Sequence, residues 1–151
     1  MLGEACHFID FALFVTASPV IEVCALSLGG AAQTDTASIL MRHANGSTAV
    51  VNYFANGHRD LSKERLEIHS QGRSLVLDNF RELRGYGFRS FSSLKTRQDK
   101  GHRQQFALFA SRLKSGGPPL IPWVDLSNSS RATLAALKSL ATHRWERVEA
   151  E

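Results

Sequence analysis

An Asn-Gly pair between two β-rich stretches is the feature that most constrains how this chain can fold. Asn45-Gly46 separates residues 36–44 from residues 47–55, and two sets of side chains alternate along the second stretch. Asn-Gly is the strongest short signal for a β-hairpin, because both residues tolerate a positive φ. A second hairpin is predicted around Gln71-Gly72. Because a hairpin pairs its strands antiparallel, the centre of the chain predicts an antiparallel sheet.

Helical patterns lie on both sides of this β-rich centre. Apolar residues recur at spacings of three and four in the segments 3–17, 101–114 and 124–144. Helices at both chain ends with strands between them predict an α+β fold. We expect a two-layer sandwich, in which an open, predominantly antiparallel sheet of five or six strands carries three helices on one face. One domain over residues 1–145 and a frayed tail over residues 146–151 complete the prediction.

Composition supports a single domain and excludes several classes of protein. The chain has 151 residues, of which 43% are hydrophobic and 21% charged, a balance that excludes intrinsic disorder. No apolar run approaches the roughly 20 residues that a membrane helix needs, and no signal peptide is recognisable. Cys6 and Cys24 cannot form a disulfide framework, so we expect a cytoplasmic location. The net charge of +4 permits an acidic partner without requiring one.

His7 and Asp10 are the most suggestive pair of chemical groups. They lie at positions i and i+3 of the first predicted helix, opposite its most apolar side. A carboxylate beside an imidazole can fix its tautomer and raise its basicity, which suits proton transfer. The alternative is a covered helix whose few polar groups form local hydrogen bonds. The same face also carries Phe11, Phe14 and Val15, so we expect another domain or subunit to cover it.

Two other arrangements give weaker signals. Asn52, Tyr53, His58 and Arg59 lie at the end of a predicted strand and in the loop after it, where side chains often project toward a ligand. A polar strand end in solvent explains them equally well. Residues 80–103 mix arginines with aromatic side chains, which can stack on bases and hold phosphates. Because no recognition motif accompanies them, we expect aromatics packed against the domain and no nucleic-acid partner.

The sequence carries no recognisable metal or nucleotide motif. Cys6-His7 lacks the spacing of a metal site, since adjacent residues on a helix point about 100° apart. Gly85-Tyr86-Gly87 lacks the third glycine and the strand-to-helix context of a dinucleotide fingerprint. We therefore expect that this chain alone binds neither a metal nor a cofactor.

The opening helix carries a motif that resembles a known family. Gly3-Glu4-Ala5-Cys6-His7-Phe8-Ile9-Asp10 is similar to the helix that opens the C-terminal domain of the glucose–fructose oxidoreductase / inositol dehydrogenase / rhizopine-catabolism (Gfo/Idh/MocA) family. The similarity extends over nearly the whole chain, through residues 43–47, 53–57, 63–67, 77–81 and 99–102. It is nearest to the bidomain members, in which a half similar to zinc-type alcohol dehydrogenases precedes the family's two domains.

The resemblance implies part of an NAD- or NADP-dependent oxidoreductase that acts on a sugar, a polyol or a derivative by hydride transfer. In this family an N-terminal Rossmann domain binds the cofactor, and the C-terminal sheet shapes the substrate site and packs subunits together. His7 matches the catalytic histidine, and Asp10 matches a carboxylate found one helical turn later. Gly3 stands where the family has an acid one turn before the histidine. The residues that we expect near the substrate are Asn52, Tyr53, His58 and Arg59.

The family's glycine-rich fingerprint and its lysine belong to the Rossmann domain, and we expect that domain to be absent from this sequence. Hydride transfer needs a positioned nicotinamide. We therefore expect a substrate-binding and oligomerisation domain that lacks dehydrogenase activity alone and forms a homodimer or higher oligomer through its sheet face. The alternative is a non-enzymatic β-sheet module that assembles or binds a partner.

Overall fold

The computed structural model describes residues 2–30 and 35–149 of the chain. These residues form an α+β fold with three helices and eight antiparallel strands. In chain order the elements are α1 (Leu2–Thr16), β1 (Val20–Ser27), a 3-10 turn (Leu28–Gly30), β2 (Thr36–His43), β3 (Thr48–Phe54), β4 (Arg65–Ser70), β5 (Arg73–Asp78), β6 (Glu82–Tyr86), β7 (Ser93–Lys95), α2 (His102–Ser115), α3 (Trp123–Thr142) and β8 (Glu146–Arg147).

The elements divide into two units, each with its own four-stranded sheet. Unit 1 comprises residues 1–56 and 121–151, with strand order β3-β2-β1-β8. Unit 2 comprises residues 57–120, with strand order β4-β5-β6-β7. The structure confirms the α+β fold, but its eight strands form two sheets of four strands each, where the sequence predicted one sheet of five or six strands. The physical reason is local pairing, since each strand of unit 2 bonds to its neighbour in sequence and so completes a sheet within its own segment.

Unit 1 buries one face of its sheet beneath α1 and α3. Along β2 the buried residues alternate with more exposed ones, as expected for a strand with one covered face. The core consists of Ala5, Ile9 and Leu13 of α1, Val23 and Ala25 of β1, Ala37, Ile39 and Met41 of β2, and Ala132, Ala136 and Leu140 of α3. The opposite face of the sheet points away from both helices.

Asn128 of α3 takes the place of a neighbouring strand at the start of β1. β8 is short and pairs only with Glu22 and Val23 of β1. At Val20 the backbone N–H donates to Asn128 Oδ1 at 2.8 Å, and Asn128 Nδ2 donates to the Val20 carbonyl at 3.0 Å. The carboxamide therefore satisfies both backbone groups of a buried residue, which would cost free energy if left unpaired.

Ser139 of α3 does the same at the other end of β1. Its hydroxyl is fully buried and accepts from the Ala25 backbone N–H at 2.9 Å. The same hydroxyl donates to the Arg144 carbonyl at 2.6 Å, just beyond the end of the helix. Ser139 thus joins α3, β1 and the chain that leads into β8.

The turn between β2 and β3 fixes the C-terminal end of α1. The predicted hairpin is confirmed, but its turn has three residues, 44–46, and only Gly46 takes a positive φ, of 86°. Asn45 Nδ2 donates to the Thr16 carbonyl at 3.1 Å. Beside it, buried His43 donates from Nδ1 to the Ser18 carbonyl at 2.8 Å. Residues distant in sequence thereby set where α1 stops.

Unit 2 is a meander whose two faces differ in polarity. One cross-strand row is apolar and consists of Leu66, Leu77, Leu83 and Leu94. The other face carries ion pairs, among them Arg65–Glu67 at 2.6 Å and Arg84–Glu82 at 2.9 Å. The hairpin predicted around Gln71-Gly72 is confirmed as the connection between β4 and β5.

β6 is a strand that the sequence does not predict. The sequence pattern predicts irregular structure over residues 79–100, with one strand over residues 88–94. The structure instead has two strands here, β6 and β7, with an irregular stretch between them. The β5–β6 turn lacks glycine, although Asn79 and Phe80 both take positive φ values of 49° and 52°. Gly85 interrupts the β-rich pattern, and a Cβ there would collide with the ring of Phe91. Because the turn has no glycine and the strand contains one, the sequence pattern does not indicate β6.

Two predicted packing features also differ from the structure. Only α1 and α3 cover the sheet of unit 1, while α2 belongs to unit 2 and has no buried residue. The predicted tail is partly ordered, because β8 pairs with β1 and Lys138 holds Glu146 at 2.6 Å; residues 150 and 151 lie outside the described range. Within the described ranges, none of the helices has the length and apolar character needed to traverse a bilayer.

Replacing Ser139 with alanine should destabilise unit 1. The substitution leaves the buried Ala25 N–H without an acceptor, which costs about 1–3 kcal/mol of unfolding free energy. Urea denaturation followed by circular dichroism measures the difference. Ser130→Ala is the matched control, because the Ser130 hydroxyl also bonds within α3 but is exposed, and its loss should change stability by less than about 0.5 kcal/mol. Equal losses in the two variants would contradict the role assigned to Ser139.

Candidate functional site

The exposed face of α1 carries the predicted catalytic pair. Because Ala5, Ile9 and Leu13 point into the core, the helix turns His7 outward. His7 is exposed and Asp10 is half-buried on the same face. The hypothesis of proton transfer requires an accessible imidazole, and the structure meets that requirement.

Apolar side chains extend this exposed face toward the C-terminal end of α1. Phe14 is 76% exposed, and its ring stacks on that of Phe11 with centroids 6.3 Å apart. Val15 is also exposed. Large exposed apolar side chains beside a polar group are typical of a surface that another protein covers.

His7 and Asp10 share a face without being bonded to each other. Within residues 2–30 and 35–149, neither side chain forms a hydrogen bond or an ion pair. Their spacing of three residues keeps the side chains adjacent. Hydrogen bonds of catalytic groups are often long before a substrate binds, so this separation is compatible with a role for Asp10 in orienting His7.

Tyr53 is the one predicted substrate-binding residue that the structure brings to α1. Its hydroxyl donates to Glu4 Oε2 at 3.1 Å, across 49 residues of sequence. Burial raises the pKa of the Tyr53 hydroxyl above its ordinary value, and the hydrogen bond to Glu4 and the charges of Glu4 and Asp35 raise it further. Glu4 lies one helical turn before His7 on the exposed side of the helix, so Tyr53 meets α1 one turn before the predicted catalytic histidine.

Sequence reasoning missed Glu4. The available signal was its position three residues before His7, which places both side chains on one face of the helix. Without the fold, nothing distinguished Glu4 from an ordinary acidic residue in the first turn of a helix. The hydrogen bond from Tyr53, which the fold brings beside Glu4, distinguishes Glu4 from such a residue.

The other predicted substrate-binding residues have different partners. Asn52 follows the alternation of β3 onto the opposite face of the sheet, where it accepts from Ser38 Oγ at 2.8 Å. His58 and Arg59 belong to unit 2 and lie beside Asp60 in an exposed turn, at 3.7 and 3.9 Å. Within unit 1 the structure therefore joins Tyr53 to α1 and separates Asn52 from it.

Gly85 and Gly87 do not form the glycine-rich turn of a dinucleotide site. Gly85 lies within β6 beneath Phe91, and Gly87 lies so close to the Gly72 carbonyl that a Cβ would collide with it. These glycines serve close packing and do not open the strand-to-helix turn that holds a pyrophosphate. In the same described part of the chain, no three His, Cys, Asp or Glu side chains converge as a metal ion would require.

The open face of the unit 1 sheet is a second exposed apolar surface. Leu26, Leu40, Val50 and Phe54 point away from the helices, with exposed fractions between 40% and 59%. Cys24 pairs with Leu40, which in turn pairs with Val50, so the apolar side chains form a continuous row across three strands. We call this surface the open sheet face.

Solved structures share the fold of this chain over about half of their own length. An oxidoreductase domain protein from Kribbella flavida matches 97% of the chain and 50% of its own, with 16% identity and a TM-score of 0.71. Levoglucosan dehydrogenase in complex with NADH and levoglucosan matches 98% of this chain and 50% of its own, with 19% identity and a TM-score of 0.73.

An oxidoreductase from Agrobacterium radiobacter, in complex with NAD+, L-tartaric acid and magnesium, matches 96% of this chain and 48% of its own. Its identity is 20% and its TM-score 0.71. No protein-family model and no curated protein matches the sequence. At these identities the comparisons establish the fold and leave the function to be argued from the site.

Replacing Glu4 with glutamine should lower the pKa of Tyr53. The substitution removes a negative charge that favours the protonated phenol, but burial of Tyr53 remains, so the pKa should stay above its ordinary value. Ultraviolet titration of tyrosinate measures this in a Tyr86→Phe background, which leaves Tyr53 as the sole tyrosine. Glu149→Gln, an exposed substitution in the same unit, should have no effect. An unchanged titration in Glu4→Gln would show that the contact is absent in solution.

Proposed function

We propose that this chain is the C-terminal, substrate-binding and oligomerisation domain of a Gfo/Idh/MocA-type oxidoreductase. The complete enzyme would use NAD or NADP to oxidise or reduce a carbinol of a sugar-like or polyol substrate. Two observations support this proposal together. The fold is that of half of several oxidoreductases, two of which are in complex with NADH or NAD+, and the exposed face of α1 presents a histidine bordered by carboxylates.

In this proposal His7 is the general acid or base. Its imidazole takes the proton of the reacting hydroxyl during oxidation and returns it during reduction. Asp10 is the positioning residue, since a carboxylate beside the imidazole holds its tautomer and stabilises the imidazolium. The hydride acceptor would be a nicotinamide held outside the described residues, and this chain alone would not transfer hydride.

Tyr53 would belong to the substrate site through its place beside α1. Asn52 points to the opposite face of the sheet, which does not support a substrate contact there; for His58 and Arg59 a substrate contact stays a prediction. The apolar row of half-buried Phe11 and exposed Phe14 and Val15 would lie beneath the cofactor-binding protein, which would close the site against water.

A fusion tests the proposed activity. The part of levoglucosan dehydrogenase that lies outside the matched half would be joined ahead of this chain, and NADH formation would be measured with a panel of polyols. We expect turnover, and His7→Ala should reduce it by about 100-fold or more, since general acid–base catalysis contributes that much. His69→Ala is the control, because His69 is exposed and belongs to unit 2. A fusion that binds NADH without turnover, or a His7→Ala variant with full activity, would contradict the proposal.

We propose that the open sheet face joins two copies of this chain. The apolar row from Cys24 through Leu40 to Val50 supports this, because a monomer seldom leaves so continuous an apolar surface in water. This face also supports the alternative function, a non-enzymatic assembly module. The two functions differ in whether the fusion turns over substrate, since both require self-association.

Leu26→Asp should convert the oligomer into a monomer. The side chain is 59% exposed on the open sheet face, so a charge there would be buried on association without disturbing the core. Leu134→Asp is the matched control, since Leu134 is 61% exposed on α3, on the other side of unit 1. Light scattering after size-exclusion chromatography gives the mass of each variant. A parent chain that is monomeric at high concentration would refute the interface.

A further inference from the structure

A small cavity lies at the tip of the β4–β5 hairpin in unit 2, and the proposed function does not use it. Its volume is about 220 Å³, and its lining includes Ile68, Ser70, Arg73, Leu75 and Phe88. We propose that this cavity binds an apolar monocarboxylate, whose carboxylate pairs with Arg73 while its apolar part packs against the strands and Phe88. The inference concerns a second site and does not depend on the proposed function.

Arg73 supplies the positive charge of the cavity. Its guanidinium carbon lies over the ring of Phe88, 5.5 Å from the centroid. In the part of the chain that the structure describes, Arg73 forms no hydrogen bond or ion pair. Arg65 and Arg84, on the other face of the same sheet, are each paired with a glutamate. The N–H donors of Arg73 are therefore open to a ligand.

The ring of Phe88 gives this guanidinium a defined position. Phe88 packs edge-to-face on Phe91, with centroids 6.2 Å apart. Phe91 in turn lies directly over Gly85, where a Cβ would collide with its ring. An arginine that stacks on a packed aromatic ring loses less conformational freedom when it binds an anion, so the cavity is organised before a ligand arrives.

The charges around the cavity favour an anion. The lining comes from residues 68–75 and from Phe88. Residues 68–77 and 83–98 contain five lysines and arginines and no aspartate or glutamate. A negatively charged ligand would thus meet positive charge from both stretches, whereas a cation would be repelled.

The shape and polarity of the lining favour a carboxylate with an apolar body. The planar fork of a guanidinium matches the two oxygens of a carboxylate, and Arg73 is the sole cation in the lining, which leaves a phosphate ester only partly neutralised. Ile68 and Leu75 pair across β4 and β5 and provide apolar surface. Because a cavity of about 150 Å³ suffices for benzene, this one has room for a ring and its carboxylate.

Titration of the whole chain with small carboxylates tests the inference. Benzoate represents a free acid, and N-acetylglycyl-L-phenylalanine represents the C-terminus of a protein chain. We expect a carboxylate to shift the Nε–Hε signal of Arg73 and to bind about tenfold more tightly than its neutral amide, since a hydrogen bond to a charged group contributes about that factor. Binding of benzoate alone would identify a free acid as the ligand, and binding of the peptide alone a chain terminus; either result supports the site.

Variants show whether Arg73 holds the ligand. Ligand-observed NMR should give a Kd for the carboxylate that is about tenfold higher in Arg73→Gln, with a smaller increase in Arg73→Lys, which keeps the charge but loses the planar fork. Arg97→Gln is the matched control, because Arg97 is an exposed arginine of unit 2 outside the cavity lining, and it should bind as the parent does. Circular dichroism confirms that each variant is folded. Equal binding of the amides, tighter binding of phenyl phosphate than of benzoate, or equal losses in Arg73→Gln and Arg97→Gln would overturn the inference.

Discussion

The need to pair the buried outer edge of β1 is the constraint on which unit 1 depends. A strand in the middle of a core must find partners on both sides, but β8 provides pairing at only two residues. Asn128 and Ser139 of α3 supply the missing hydrogen bonds on either side of that short strand. Two side chains of a helix thus form hydrogen bonds to β1 that a neighbouring strand would otherwise form. They reach the β1 backbone only when α3 has a particular rotation and distance relative to the sheet.

The hydrogen bonds that hold α3 on β1 also determine the position of α1, because the two helices pack against each other. The candidate site lies on α1, so its position is determined in the same way. The two helices contact each other over the same sheet face, and Ala5 and Ile9 fill the space that α3 leaves. Once those residues point inward, helical geometry turns His7 outward. The hydrogen bond from Asn45 to Thr16 sets the end of the helix. The orientation of the proposed catalytic imidazole is therefore a consequence of core packing and turn geometry, and needs no bond of its own.

Sequence reasoning succeeded where the structure is determined by neighbouring residues. The turns at Gly46 and Gly72 and the three helices could be predicted, because glycine positions and apolar spacing act locally. β8 could not be predicted from the sequence, because its two residues form a strand only through their pairing with β1. Glu4 escaped notice for the same reason, as its significance depends on Tyr53, which folding brings beside it from a distant strand.

The uneven distribution of charge separates two sets of residues that the sequence placed in one substrate site. Unit 2 contains 13 lysines and arginines against six acidic residues, whereas unit 1 contains five against eight. The net charge of +4 for the whole chain conceals this contrast. Glu4 and Asp10 lie in the unit with net negative charge, whereas His58 and Arg59 lie in the unit with net positive charge, so the two sets of residues stand in different electrostatic surroundings.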